Sequence, residues 1–386
     1  MSTQKSAKSI PICSFCGADA GDSLLVRGQD LSHICESCID ECTEIVKEQR
    51  NKKEMKSSRP SLTPASIKKH LDQYVVGQDE AKKLISIAIY CHYKRINKYD
   101  TGGVEIQKSN ILLLGPTGSG KTHMVKHLAK LLKVPVSISD ATSVTQAGYV
   151  GDDVESILSR LVMSANGNIE LAQKGIVYVD EVDKIAKVAS DRGRDVSGEG
   201  VQQGLLKILE GSEVFINPEG GKKNSMTKEV SFKTDDVLFI CGGAFSGISE
   251  SRKKRKLGLS EKETHEDPNA PIESKDLVKF GLIPEFVGRL PVIAQLNQLS
   301  VDDLVKILTE TKNNLADQYK ALLKIDGVKI DFSDGFLRKV AQKAQIEGTG
   351  ARGLRTIMEK NMQEIMFKGP ELKDKEITLT EEDFKE

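Results

Sequence analysis

Residues 115–122 read Gly115-Pro116-Thr117-Gly118-Ser119-Gly120-Lys121-Thr122, with the spacing G-x-x-x-x-G-K-T. Glycines at this spacing let backbone N–H groups crowd around a phosphate. The lysine can reach the outer phosphates, and the threonine hydroxyl can hold Mg²⁺. A second stretch, Gly175-Ile176-Val177-Tyr178-Val179-Asp180-Glu181, ends an apolar run in two adjacent carboxylates. At the carboxyl end of a strand such a pair can divide its work, Asp180 toward the metal and Glu181 toward an attacking water. A third set is Cys13, Cys16, Cys35 and Cys38, spaced C-x2-C-x18-C-x2-C. Each pair forms a turn that aims two sulfurs at one ion. Four thiolates close a tetrahedron around Zn²⁺ and leave no open position for catalysis.

These groups need elements to position them. Asn110 to Leu114 is a short apolar run ending in glycine, as a buried parallel strand requires. After Thr122, the residues Met124, Val125, Leu128, Ala129, Leu131 and Leu132 recur at helical spacing. Strand, glycine-rich turn and helix start therefore follow in the order a phosphate site needs, with the helix N-terminus adding partial positive charge. Cys42 follows Cys38 by one helical turn, on a helix expected from Ile39 to Val46, and reads as a packed thiol rather than a fifth ligand. His33 is a weaker competitor for the metal. A redox role for the cysteine pairs lacks a thioredoxin-like setting. A segment of about 45 residues buries little core, so metal has to supply folding energy.

The chain has 386 residues, 38% hydrophobic and 29% charged, with 56 basic and 56 acidic side chains. Zero net charge argues against a dedicated nucleic-acid binder. No run approaches the roughly 18 apolar residues of a membrane span. The first dozen residues lack the apolar core of a signal peptide, and clustered cysteines in a reducing compartment favour metal over disulfides. The expected location is cytoplasmic.

Four regions are expected: a zinc-binding domain over 1–46, a flexible lysine- and serine-rich linker over 47–64, a large α/β domain over 65–294, and a small α+β domain over 295–386. Thr63-Pro64 starts a helix with a cap and a proline at its first position. A helix from Asp79 to about Lys98 carries Ala81, Leu84, Ile85, Ala88 and Ile89 on one face. Val134–Ser139 reads as a strand. Tyr149 between Gly148 and Gly151 suits an exposed loop that grips something, or an ordinary surface turn. Asp183 and Lys184 read as a structural ion pair or helix cap. Residues 189–200 read as a loop, Val201 to Leu209 as an amphipathic helix, and 214–231 as a hairpin tipped by residues 218–223. Val237–Cys241 reads as another buried strand. The run Arg252-Lys253-Lys254-Arg255-Lys256 reads as a solvated loop, with a nucleic-acid patch as its rival. Arg289, between Gly288 and Leu290, is either a surface charge or a group that reaches a neighbouring subunit's phosphate. In the small domain, helices are expected over 301–324, over 335–346 and from about 351 through Ile365, with strands at 328–332 and 377–379.

The ordered motifs C-S-F-C-G, Y-V-V-G-Q, G-P-T-G-S-G-K-T, G-Y-V-G-D-D-V-E, V-D-E-V-D-K-I, D-V-S-G-E-G-V-Q-Q, G-L-I-P-E-F-V-G-R-L-P and G-T-G-A-R-G-L-R together resemble the ClpX family of ATP-driven protein unfoldases. The resemblance spans about Cys13 to Thr378. It implies an AAA+ P-loop large domain, a small domain and an N-terminal zinc domain. It also implies a homohexameric ring that passes substrates to the ClpP peptidase. By that resemblance Val75 and Val76 border the adenine of ATP, and Lys121, Thr122 and Asp180 serve phosphate and Mg²⁺. Glu181 serves the water, Arg289 is the finger on a neighbour's ATP, and Arg352 is the second-sensor arginine. Tyr149 and Val150 form the pore loop that pushes on protein substrates, and the zinc domain receives adaptors.

Two segments depart from the family pattern. The docking tripeptide is Leu257-Gly258-Leu259 where members carry I-G-F or L-G-F, and the pore-entrance loop reads Lys222-Lys223-Asn224 where members carry R-K-H. No Asn or Thr in Val237–Cys241 suggests a first sensor. No G-x-S-x-G or H-E-x-x-H occurs, so no peptidase activity is expected of the chain itself. The rival readings are a remodelling chaperone that works without a peptidase and a zinc-containing DNA-dependent ATPase.

Overall fold

The computed structural model describes residues 12–18, 24–28, 32–57, 62–97, 103–144, 153–187, 198–218, 229–248 and 271–385. The chain forms two compact units, Met1–Leu62 and Thr63–Glu386.

In the first unit, strands β1 (Leu25–Arg27) and β2 (His33–Cys35) pair antiparallel. A helix, Glu36–Ser57, follows directly. It begins earlier than expected and keeps the presumed linker helical through Ser57. Cys13, Cys35 and Cys38 are the buried centre, with Leu25 and Ile34 against them. So small an apolar centre cannot offset the entropy of ordering the chain by itself.

The second unit is built on a five-stranded parallel sheet. Its strands are β3 (Ile111–Leu114), β4 (Val136–Asp140), β5 (Ile176–Asp180), β8 (Leu238–Gly243) and β9 (Val292–Gln295), in the order β4-β5-β8-β3-β9. Every residue of β3 and β8 is buried. Continuous Ile, Leu and Val runs of this kind suit strands covered by helices on both faces. Register places Leu114 beside Gly243, and Val179 beside Cys241. The glycine-rich turn after β3 and the carboxylates ending β5 thus emerge at one edge, on either side of β8. Strands β6 (Glu213–Ile216) and β7 (Val230–Lys233) form a separate antiparallel pair, as the hairpin reading expected.

Helix Pro64–Asp72 begins as expected, with Thr63 and Ser66 in a reciprocal capping box. Helix Asp79–Ile96 buries Ala81, Ile85, Ala88, Ile89 and His92, but Leu84 is 41% exposed and lies off that face. Helix Glu199–Glu210 takes in the last residues of the expected 189–200 loop.

Residues from Leu299 onward surround their own hydrophobic core. The expected helix over 301–324 is two helices, Val301–Thr309 and Leu315–Ile325. Asn313 takes a left-handed φ of 61°, and buried Asn314 caps the second helix. The Asn314 amide also donates to the carbonyls of Thr309 and Thr311. Helices Asp334–Ile346 and Ala351–Lys368 follow, and β10 (Lys329–Phe332) pairs parallel with β11 (Glu376–Leu379).

Candidate functional site

The turn after β3 carries left-handed φ at Gly115, Gly118 and Gly120. At Gly118 a side chain fails for a second reason, because a Cβ there would overlap the Thr349 carbonyl oxygen. Lys121 opens the following helix and folds back over the turn. Its Nζ donates to the carbonyls of Gly115 at 2.6 Å and Pro116 at 3.1 Å. Burial pushes its ammonium below the usual lysine range, opposed by the carboxylates of Asp180 and Asp183. The Thr122 hydroxyl donates to Asp180 Oδ2 at 2.9 Å, joining the two halves of the site. Asp180 Oδ1 accepts the Glu181 N–H at 3.0 Å. Glu181 has φ of 58°, a left-handed turn that separates its exposed side chain from that of Asp180. Adjacent carboxylates therefore part at the strand end, one tied to the threonine and one open to solvent.

These groups line a cleft of about 700 Å³. Tyr74, Val75 and Val76 form one end, and Arg352 and Arg355 come in from helix Ala351–Lys368. Arg352 is near enough for its charge to act on Lys121. The helix start is bonded to the phosphate loop, since the Ala351 N–H donates to the Gly118 carbonyl at 3.2 Å. Near Val75, the Lys312 N–H donates to the Gln73 carbonyl at 2.8 Å, so the loop between the two split helices closes that end of the cleft.

Arg289 does not join this cluster. Its guanidinium pairs with Glu210, Nε and Nη2 reaching Oε1 at 2.9 and 2.8 Å, with both side chains about half exposed. Its backbone is fixed from inside, because buried Asn110 donates through Nδ2 to the Arg289 and Leu209 carbonyls. Fully buried Gln202 ties the turn after β5 to the segment before Arg289. Its Nε2 donates to the Ile185 carbonyl at 2.6 Å, and its Oε1 accepts the Ile283 N–H at 2.8 Å. Among the described residues, Asp183 shows a structural bond other than the expected ion pair or cap: its Oδ1 accepts the Ala244 N–H at the end of β8.

Sequence reasoning missed a ring stack beside the cleft. Tyr74 lies on His127 with centroids 3.7 Å apart, and His127 meets His123 at 4.5 Å. His123 and Tyr74 both line the cleft. Burial lowers both histidines, His127 to about 4, and so disfavours their charged forms. His123 and His127, four apart on one helix, were the available signal. Tyr149 and Val150 lie outside the described residues, as do Lys222 to Asn224, the basic run 252–256 and Leu257-Gly258-Leu259.

The four expected zinc ligands come together. Cys13, Cys16, Cys35 and Cys38 present sulfurs all within 4.8 Å of one another, the one such group among the described residues. Cys42 and His33 stand outside it. The Cys13–Cys38 and Cys16–Cys35 sulfurs are 3.9 and 3.8 Å apart. Zn–S bonds of about 2.3 Å in a tetrahedron place sulfurs about 3.8 Å apart, whereas a disulfide needs about 2.05 Å. The Cys13 thiol is drawn down to about 6, first by the Cys16 backbone and then by that of Cys35, while the Cys16 and Cys35 side chains hold Cys38 well above the ordinary thiol range. Four thiolates at this separation repel one another unless a cation lies among them, and the geometry fits Zn²⁺. Chelation should abolish the folded NMR dispersion of the first unit, since structural zinc supplies about 10–16 kcal/mol in small domains. Unchanged dispersion after metal loss would deny zinc that role.

A parallel sheet with a phosphate loop, strand-end carboxylates and an arginine from a C-terminal helical module defines an AAA+ ATPase. Residues 106–293 match the AAA domain (Cdc48 subfamily), 299–379 match the C-terminal D2-small domain of ClpB protein, and 11–48 match the ClpX C4-type zinc finger. The chain is 48% identical over 367 residues to the ATP-dependent Clp protease ATP-binding subunit ClpX 2 of Wolinella succinogenes, covering 93% of this chain and 91% of that one. It is 45% identical over 399 aligned positions to the ClpX subunit of Borrelia duttonii, covering 99% and 92%. With the ClpX subunit of Treponema denticola it shares 45% identity over 377 residues, covering 94% and 91%. The chain belongs to the ClpX family. Among the described residues no helix is long and apolar enough to cross a membrane.

Proposed function

We propose that this protein is a cytoplasmic ATP-driven unfoldase that works as a homohexameric ring and feeds unfolded chains to a ClpP-type peptidase. One observation carries the reading. Lys121, Thr122, Asp180, Glu181 and Arg352 share a cleft, while Arg289 is not among the residues lining it and pairs with Glu210 at about half exposure. An arginine so placed suits a neighbour's nucleotide better than its own. The curated relatives, named as ATP-binding subunits of a Clp protease, support the same assignment.

In this reading Val75 and Val76 receive the adenine, and Gly115 to Gly120 and Lys121 hold the phosphates. Thr122 and Asp180 offer two oxygens to Mg²⁺, which when bound neutralises phosphate charge. Glu181, exposed and without an ion pair among the described residues, takes the proton of the attacking water. Arg289 stabilises charge on the adjoining subunit's ATP. Arg352 carries the small domain, 295–386, with the nucleotide against the large domain, 65–294. Hydrolysis then becomes rotation of rigid bodies, which Tyr149 and Val150 convert into pulling on polypeptide.

The test is degradation of a tagged, stably folded fluorescent reporter by this protein with a ClpP peptidase and ATP. Loss of fluorescence with release of peptides is expected, and Tyr149→Ala should keep ATP hydrolysis while unfolding the reporter poorly. Unfolding without peptide release would favour the peptidase-independent chaperone, for which Leu257-Gly258-Leu259, lacking the aromatic third residue, is the specific support. DNA-stimulated hydrolysis without unfolding would replace both.

A further inference from the structure

Gln78 stands directly after Val75-Val76-Gly77 and is 8% exposed. Gly77 and Gln78 have consecutive left-handed φ values of 62° and 61°. For glutamine that conformation costs about 1–3 kcal/mol and persists only where its surroundings hold it. Gln78 also occupies the N-cap of helix Asp79–Ile96, yet its side chain makes no capping bond. Both ends of its amide go to one distant residue instead. Nε2 donates to the Asn297 carbonyl and Oε1 accepts the Asn297 N–H, each at 2.8 Å. Asn297 lies between β9, which ends the sheet, and helix Val301–Thr309, which begins the second core. The chain crosses there from one core to the other.

The residue before it is pinned from another side. The Leu296 N–H donates to the Leu114 carbonyl at 2.7 Å, and a Cβ on Gly115 would lie 2.7 Å from the Leu296 carbonyl oxygen. Among the described residues, two supports reach the crossing from the cleft. One is the strand entering the phosphate loop, made by backbone alone. The other is a single side chain from the Val75–Val76 segment.

We infer that Gln78 is the positioning residue that couples the adenine end of the cleft to the orientation of the small domain, clamping the crossing at Asn297. This rests on the reading that nucleotide fills the cleft with its base against Val75 and Val76. Movement of that segment on base binding passes through the amide to Asn297 and so to the helices beyond. The phosphate support reports on the loop, and Gln78 reports on the base.

The chemistry supplies a specific test. A methionine in place of Gln78 fills similar volume with neither bond. A glutamate is isosteric but, when ionised, sets a carboxylate against the Asn297 carbonyl. When protonated it donates to that carbonyl and accepts the N–H, restoring the clamp. Burial beside a carbonyl raises such a carboxyl. Spin labels on non-natural side chains at exposed positions 170 and 363 of the full chain measure the separation of the two cores with ADP, with a non-hydrolysable ATP analogue, and without nucleotide. Wild type should show a nucleotide-dependent distance, and Gln78→Met should lose it. In Gln78→Met, kcat for ATP should fall about 5–150-fold, the usual span of a coupling free energy, with KM within about threefold. Gln78→Glu should behave like Gln78→Met at pH 8 and regain the distance change and kcat as pH falls toward 6, which a merely structural role would not produce. A nucleotide-dependent distance that survives in Gln78→Met, or a Gln78→Glu variant with the pH profile of wild type, overturns the coupling role. Should wild type bind nucleotide with no change in distance, the coupling role falls; should it bind no nucleotide, the reading of the cleft beneath it falls as well. If Gln78→Met does not fold, the pH titration of Gln78→Glu decides alone.

Discussion

Replacing Glu181 by glutamine should leave ATP binding intact and lower hydrolysis by about 10²–10⁴-fold, the usual worth of a positioned general base. Asp180 accepts bonds from Thr122 and from the Glu181 N–H, which hold its carboxylate beside the phosphate loop. Glu181 is exposed, and its left-handed backbone turns its side chain away from that network. Glutamine keeps the shape and removes the basic oxygen. The backbone strain at φ 58° belongs to either residue alike, so stability should not move. Fluorescent ATP titration and single-turnover hydrolysis check the two halves separately. Hydrolysis within a few-fold of wild type would transfer the base role to another group.

Arg289→Ala should lower hydrolysis by about 10³–10⁵-fold, the contribution of an arginine finger. The change removes an exposed pair with Glu210, and such surface pairs contribute about 0–1 kcal/mol, so the melting temperature should barely shift. Asn110 grips the Arg289 carbonyl rather than its side chain, so the backbone stays in place. The decisive measurement mixes subunits. Arg289→Ala chains keep an intact Glu181, and Glu181→Gln chains keep an intact Arg289. Neither variant alone should hydrolyse ATP, whereas a mixture should recover activity where one chain's good finger meets another chain's good site. A mixture as inactive as its components would mean the arginine serves its own chain.

The parts legible from sequence were those written locally. The runs before Gly115 and Asp180 are short, apolar and bounded by motif residues, so strand, turn and helix follow in register. The cysteine spacing likewise contains its own geometry. What stayed hidden depends on partners far along the chain. Gln78, Asn110 and Gln202 look like incidental polar residues beside apolar ones, yet each binds backbone groups of distant segments. No periodicity of 3.6 or 2 records such a bond. The break at Asn313–Asn314 was masked by Leu304, Leu308, Leu315 and Tyr319, which keep a near-helical rhythm across it while the Asn314 cap interrupts the helix. Leu84 failed for the opposite reason: it fits the hydrophobic count, but the face is set by Ala81, Ile85, Ala88 and His92.

The sheet order also bears on how the chain is made. Ile111–Leu114 sits between β8 and β9, and β9 begins at Val292, about 180 residues after Leu114. At roughly 5–20 residues per second, a ribosome takes roughly 10–35 s to supply that second neighbour. For that interval four consecutive aliphatic side chains and an open strand edge have no lasting cover, which is the situation that invites aggregation. During its own synthesis the chain is therefore itself a candidate for protection by holding factors.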